Sequence, residues 1–486
     1  MIREKEKNHN VSTSPIAEIP EMTQMQKIPN PSENFNRIAA FTQTLNISDI
    51  PPEVTHTAKL LVLDLLGVLA AASKLEAGRI ARNHAVNHWA AGPDASSARL
   101  LFDGRSTSLP GFGFAMGTQL DNLDAHDGWQ PSKGHAGAAL LPALCAFAEG
   151  STSVSGHEAL VAMVLGYEIS YRASIALHAT VDDYHTSGAW NALGCAAIGA
   201  RFRKLNNVQF RDAMGIAEYH APRSQMMREI ANPSMLHDGT GWGAPTGIYA
   251  VLVAEDGFKG GPAATLEFDD AAFAWSDLGE NWLTVQQYIK PYPVCRWVHA
   301  PIDAALKLKQ LYSLSPDMIA AVKIMTFAYS AELSGEVPES TSIAQYSLAW
   351  PVAAALCRGR VGVEEVMESS FADPEIISLT QLTEARVDAD YDAGYPDKRL
   401  ANVIITLKDG SVIESGTTEA SGGPEPQPTE EEVINKFRAY SGSVLPEKRV
   451  LEIESAVMSL DDPDADFKAV LDLLVESTSG SPFCCH

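Results

Sequence analysis

The stretch GAWNALGCAAIGARF, Gly188–Phe202, is made almost wholly of small and apolar residues, and GIYAVLVAEDG, Gly247–Gly257, has the same character. Small residues let helices approach closely, so two such runs predict a dense helical core. The sequence around them agrees. Pro51 and Pro52 suit the first turn of a helix whose apolar positions Ala58, Leu61, Val62, Leu65 and Val68 recur every three or four residues. Ser155 and Glu158 read as a capping box ahead of the stripe Leu160, Val161, Val164, Leu165 and Ile169. Gly111, Gly113 and Gly117 lack the spacing of a dinucleotide fingerprint and read as a packing or turn device.

The pattern changes after Asn281. Ala320–Phe327 alternates apolar and polar residues, Glu384–Asp390 does so briefly, and Val403–Leu407 with Val412 and Ile413 brackets Asp409-Gly410. That dipeptide predicts a hairpin closed by a two-residue type I′ turn, whose two positive-φ positions Asp and Gly fill at low cost. Pro301–Gln310 and Ser347–Leu356 still read as helices. Gly422–Pro428 is an extended linker, after which Thr429–Tyr440 and Pro446–Ser459 turn helical again. The expected fold class is mainly α with a smaller α+β domain. Its divisions are a tail over 1–35, a helical part over 36–275 and 425–480, and an α+β part over 276–424.

Composition narrows the function. Across 486 residues, 61 acids against 36 Lys and Arg leave a net charge of −25. No basic cluster is dense enough to track a phosphate backbone, which excludes nucleic-acid binding. The longest uninterrupted small or apolar runs, such as Leu65–Ala72 and Pro-interrupted Ala136–Ala148, fall short of a membrane span, so no membrane partner is expected. Met1–Asn34 is polar, without the apolar core of a signal peptide. Six Cys without a C-x-x-C pair suit a reducing compartment, the cytoplasm or the mitochondrial matrix. G-x-S-x-G, H-E-x-x-H and P-loop motifs are absent, and no nucleotide or metal cofactor is expected.

Four segments carry chemistry. Asp121-Asn122-Leu123-Asp124-Ala125-His126-Asp127-Gly128-Trp129, followed by Lys133-Gly134-His135, puts acids, two His and a Lys on a loop feeding a helix that begins at Ala136. It reads as an acid/base site, a metal site or a solvated surface loop. A helix N-terminus beside it favours an anionic ligand. Tyr184-His185-Thr186-Ser187-Gly188 and Met235-Leu236-His237-Asp238-Gly239 also place a His ahead of a small-residue helix. Lys290-Pro291-Tyr292-Pro293-Val294-Cys295-Arg296-Trp297-Val298-His299 lies where the composition changes, a favoured place for a ligand cleft, and its cations suit substrate carboxylates. Cys295 reads as a nucleophile or as a buried packing residue.

In combination these segments resemble the MmgE/PrpD family. His135-Ala136-Gly137 is similar to its His-Pro-Ser/Gly segment, Leu123–Asp127 to its acidic run, and His185 with Gly194 to its His-Pro-Thr-Gly helix. Lys290–Asp303 resembles Lys-x-Tyr-Pro-x-Cys-x-x-x-His, and Asn435-Lys436-Phe437 its C-terminal pattern. The resemblance implies a large helical domain built from both chain ends, a middle α+β lid, a homodimer, and metal-independent chemistry on small di- or tricarboxylates. Asp124, His135, His185, Lys290 and His299 are the expected catalytic residues, with His126, His237, Tyr292, Cys295 and Arg296 binding substrate. The chain departs from the pattern at Ser234, where relatives often carry Lys. His237, oriented by Asp238, is expected to supply the missing donor. Dehydration of a 2-methylcitrate- or alkylcitrate-like acid leads the expected functions, ahead of cis-aconitate-type decarboxylation, epimerisation or a non-catalytic role.

Overall fold

A computed structural model describes residues 30–424 and 426–476. The expected tail falls outside the described residues up to position 29, as do Cys484 and Cys485. Its predicted end at residue 35 is too late, because Ser32 caps a helix over Glu33–Thr44 by accepting the Phe35 N–H.

The chain is mainly helical with a smaller α+β part. Long helices over Leu109–Asp121, Gly137–Glu149, Gly188–Phe202 and Thr240–Glu255 pack at close range. A Cβ on Gly113 would stand 2.6 Å from Ile248 Cδ1, and one on Gly247 2.4 Å from the Ala192 carbonyl. The glycines of these helices are packing devices, as their spacing predicts. Pro52–Ala72 begins with proline at its first turn, as expected. Ser155 accepts the Glu158 N–H, but the Glu158 carboxylate pairs with Arg201 and leaves the reciprocal half of the capping box unmade.

Two helices, Pro52–Ala72 and Gly156–Thr180, are long and apolar enough to cross a bilayer, which corrects the run-length argument. Uninterrupted runs miss them because a helix carries isolated polar residues such as Asp64 without ending. Of their apolar windows, 89% and 94% are buried within the protein, as for core helices.

A hairpin of β1 (Ser97–Arg99) and β2 (Ser106–Ser108) was not expected, its strands being too short to show a period. The main sheet comprises β3 (Ile319–Thr326), β4 (Thr383–Val387), β5 (Leu400–Leu407), β6 (Val412–Glu414) and β7 (Thr418–Glu419). Its order is β4-β3-β5-β6 with β7 on β5, parallel only between β3 and β4. The β5–β6 hairpin forms, but with a three-residue turn. Gly410 donates to the Leu407 carbonyl and alone takes positive φ, at 87°. Asp409 instead accepts the Ser411 N–H and hydroxyl, a capping role that asks for no positive φ.

The helix over Glu430–Gly442, closed by a complete capping box at Thr429 and Glu432, lies against Pro52–Ala72. A Cβ on Gly67 would come within 3.1 Å of Phe437 Cα, so the contact depends on glycine there.

Candidate active site

The segment between Asp121 and Gly137 is buried almost throughout, which removes the solvated-loop reading. Three helix starts converge on it. The His135 N–H donates to Ser187 Oγ at 2.9 Å, the Gly188 N–H to the Asp238 carbonyl at 2.9 Å, and the Thr240 N–H to Asp121 Oδ2 at 3.1 Å. From the other side, Tyr288 and Gly128 exchange backbone hydrogen bonds of 2.9 and 3.1 Å, and the Asp124 N–H donates to Gln345 Oε1 at 2.6 Å. A side chain at Gly128 would run into the Tyr288 hydroxyl and His135 Nδ1.

At the centre the Lys290 ammonium, with no exposed surface, pairs with Asp124. His126 Nε2 and His135 Nε2 lie 3.9 and 4.0 Å from the same Asp124 oxygen, and the two rings meet edge-on at 4.5 Å. Burial alone pushes the Asp124 carboxyl up, but Lys290, with His135 and His126, holds it well below the usual carboxylate range. Burial, then the charge of Lys290, drops His135 to about 3, while burial and then His135 and Lys290 hold His126 well below its ordinary value. Both imidazoles are neutral near pH 7.

His135 Nδ1 donates to the Asp127 carbonyl at 2.5 Å, which leaves Nε2 as an acceptor. Asp238 Oδ2 lies 3.3 Å from that Nε2. Burial and the nearby Asp124 push the Asp238 carboxyl up to about 7, and Asp121 is raised by burial and by Asp238. Near pH 7 the Asp238 carboxyl is thus poised to hold or release a proton, 3.3 Å from an imidazole nitrogen able to accept one. Asp238 pairs with His135, not with His237 as expected.

His237 is buried, with φ of 45°, its N–H donating to Glu229 at 3.2 Å and its ring 5.8 Å from Tyr346. Its Nε2 is buried without a hydrogen-bond partner, and burial lowers the ring to about 4 against the pull of Asp124. Ser234, at the position of the missing Lys, bonds Glu229 through both its N–H and its hydroxyl.

Other expected site residues have different surroundings. The His185 N–H donates to His178 Nε2 at 3.2 Å, and its own Nε2 lies 3.5 Å from Arg223. None of these partners belongs to the Asp124 cluster, so the segment reaches the site through Ser187. His299 is fully buried, with Nδ1 3.1 Å from Arg296 and Nε2 3.1 Å from the Val294 carbonyl. Burial and Arg296 hold it well below its ordinary value, and with both nitrogens engaged it orients Arg296. Tyr292 donates to Asp303 at 2.5 Å. Burial raises the Cys295 thiol to about 12, which leaves no thiolate for nucleophilic attack.

A cleft of about 1550 Å³ opens beside the cluster, lined among others by Lys133, Tyr288, Lys290, Arg296, Arg399 and Lys436. The Arg296 guanidinium stacks 4.8 Å from the Tyr288 ring and donates to the Ala420 carbonyl at 3.2 Å. Lys290 and Lys436 are paired with Asp124 and Asp64, and the convergence of Lys133, Arg296 and Arg399 in so acidic a chain makes an anion site. Arg399, Gln345 and Tyr346 carry no local sequence signal, whereas Tyr288 stands two residues before Lys290. Among the described residues, Asp124, His126 and His135 could offer a metal three ligand atoms within 4.8 Å of one another, but the Lys290 ammonium already occupies the cation position on Asp124.

Residues 36–282 match the MmgE/PrpD N-terminal domain and residues 292–462 the MmgE/PrpD C-terminal domain. The chain is 23% identical to cis-aconitate decarboxylase of Aspergillus terreus and 25% identical to that of Homo sapiens, with 90% of this chain and 95% of each relative covered. It is 24% identical to the cis-aconitate decarboxylase-like protein oryM of Aspergillus oryzae, over 88% of this chain and 95% of the relative. The segments that carried the resemblance lie inside these matches, apart from Lys290 and Pro291, which fall between them, and the chain belongs to the MmgE/PrpD family.

Proposed function

We propose that this chain is a lyase that decarboxylates cis-aconitate or a closely related unsaturated tricarboxylate. The observation that carries the reading is the buried Asp238 carboxyl, raised to about 7 and 3.3 Å from His135 Nε2, in a cluster whose Lys290 lines the cationic cleft. In such an acid, one carboxylate sits on the carbon next to the C=C bond. When its C–CO₂ bond breaks, the electron pair forms a new C=C bond, and the pair of the old double bond takes up one proton at the carbon bearing a retained carboxylate. The protein must hold two carboxylates and deliver that proton. Arg296, Arg399 and Lys133 supply the positive charge in the cleft. Lys290 holds Asp124 ionised, and the Asp124 charge keeps the Asp238 proton in place. The proton passes from Asp238, directly or through His135 Nε2, while the Asp127 carbonyl fixes the ring.

Dehydration led the sequence reading. Decarboxylation now stands first because the relatives matched along nearly the whole chain carry that name and because one proton donor suffices for it. The unpartnered Nε2 of His237 favours the hydro-lyase as second reading, since elimination of water needs a base as well as an acid. Purified protein incubated with cis-aconitate, 2-methylcitrate and longer alkylcitrates, with products weighed by mass spectrometry, tests the choice. Loss of CO₂ supports the proposal and loss of water the second reading. Turnover is expected to survive exhaustive EDTA treatment, and loss restored by one divalent metal would make Asp124, His126 and His135 ligands.

The homodimer implied by the resemblance is part of the proposal. Trp242 and Tyr249 stand exposed on one helix, with Trp242 against Trp89 and Phe114 at 5.6 and 5.5 Å, and sedimentation velocity tests whether a second copy covers them.

A further inference from the structure

Lys436 belongs to the Glu430–Gly442 helix, more than three hundred residues after the His135 loop, yet its side chain ends beside it. The ammonium pairs with Asp64 Oδ1 at 2.6 Å and donates to the Ala125 carbonyl at 2.6 Å. Asp64 has no exposed side-chain surface, and burial raises its carboxyl against the opposing charge of Lys436. Ala125 is the residue between Asp124, which pairs with Lys290, and His126. Two residues on, the Asp127 side chain accepts the Tyr167 hydroxyl at 2.6 Å and the Gly137 N–H at 3.3 Å, and the Asp127 carbonyl holds His135. The segment is thus tied at Asp127 to its own side of the fold, and at Ala125 to the returning C-terminal helix. The second tie brings the Lys436 charge to the segment, and this lysine also lines the cleft.

We propose that Lys436 is a positioning residue: with Asp64 it grips the Ala125 peptide and so sets Asp124 and the His135 ring in register for proton delivery. The inference rests on the functional reading above. It separates Lys436, held by Asp64, from the cleft cations that meet substrate.

The test compares wild-type protein with Lys436→Ala and Lys436→Met/Asp64→Asn, the second removing the carboxylate that the first strands. For each, kcat is measured with cis-aconitate and the Kd of the inert tricarboxylate tricarballylate by calorimetry. In Lys436→Ala, kcat should fall about 100-fold, the scale of a misplacement of about 1 Å, with Kd unchanged. Propylamine, small enough to enter from the cleft, should restore part of the rate, and tert-butylamine should not. The double variant should stay slow, because the Ala125 carbonyl still lacks its donor; it carries the test if Lys436→Ala does not fold. Wild-type kcat in either variant overturns the proposal, as does a Kd that weakens in step with kcat. Should wild-type protein turn over no such acid, the functional reading fails by itself. The His135 ring resonance then decides: a shift in Lys436→Ala supports the inference, and an unmoved resonance overturns it.

Discussion

Asp238→Asn changes one atom and separates proton delivery from geometry. The Asn amide can still donate to His135 Nε2 across the 3.3 Å now spanned by the carboxyl, so the ring keeps its orientation. The transferable proton is gone, and kcat should fall by roughly 10² to 10⁴. Stability should move the other way. The folded carboxyl is raised to about 7 from 3.8, so the folded state binds a proton that the unfolded chain releases near pH 4. Stability from this group is complete below the unfolded value and is lost as pH rises to about 7. Each unit is worth about 1.4 kcal/mol, so from pH 5 to pH 8 wild-type protein loses about 2 to 3 kcal/mol that the variant keeps. At this chain length that is about 2 to 3 °C in Tm. Thermal melts of both proteins at pH 5 and pH 8, with kcat at each, make the assay. Wild-type kcat/KM should also decline above about pH 7 as Asp238 ionises. Turnover within threefold of wild type, or a variant whose relative stability does not rise with pH, would refute the assignment of the proton to Asp238.

Lys290→Met strands the buried Asp124 charge and should cost about 3 to 5 kcal/mol in denaturant melts; Lys290→Met/Asp124→Asn should recover the stability and not the turnover. Gly137→Ala would place a Cβ 2.1 Å from Asp127 Oδ2, and the forced shift should cost about 1 to 3 kcal/mol by the same melts. His135→Gln should lower kcat by about 100-fold or more, while His185→Ala, whose partners are His178 and Arg223, should change it far less. Equal losses would bring His185 into the proton path.

Before three similar helices the sequence places His135, His185 and His237, and nothing local distinguishes them. Only the packing of the helix starts aims the first at Asp238, sets the second beside His178 and leaves the third with a free Nε2. Likewise Cys295 and His299 look reactive as residue types. Burial raises the one and pins the other between Arg296 and Val294, and burial is a property of the assembled fold. Arg399 and Gln345 come from parts of the chain whose local pattern gives no sign of the site, and Lys436, although inside a segment of the resemblance, shows its tie to Ala125 only in the fold.

What the sequence determined by itself was local: helices and strands from the spacing of apolar residues, close helix contacts from glycine stripes, the β5–β6 hairpin from Asp409-Gly410, and the family from five segments in order. Each depends on residues that are neighbours in the chain, where backbone stereochemistry and periodicity act directly. Even there, the hairpin's turn was misjudged, because Asp409 spent its side chain on Ser411. The proton pair, the cationic cleft and the tie from Lys436 depend on distances between elements far apart in sequence. Those distances, with the burial that sets each pKa, exist only once the helices and the sheet have packed.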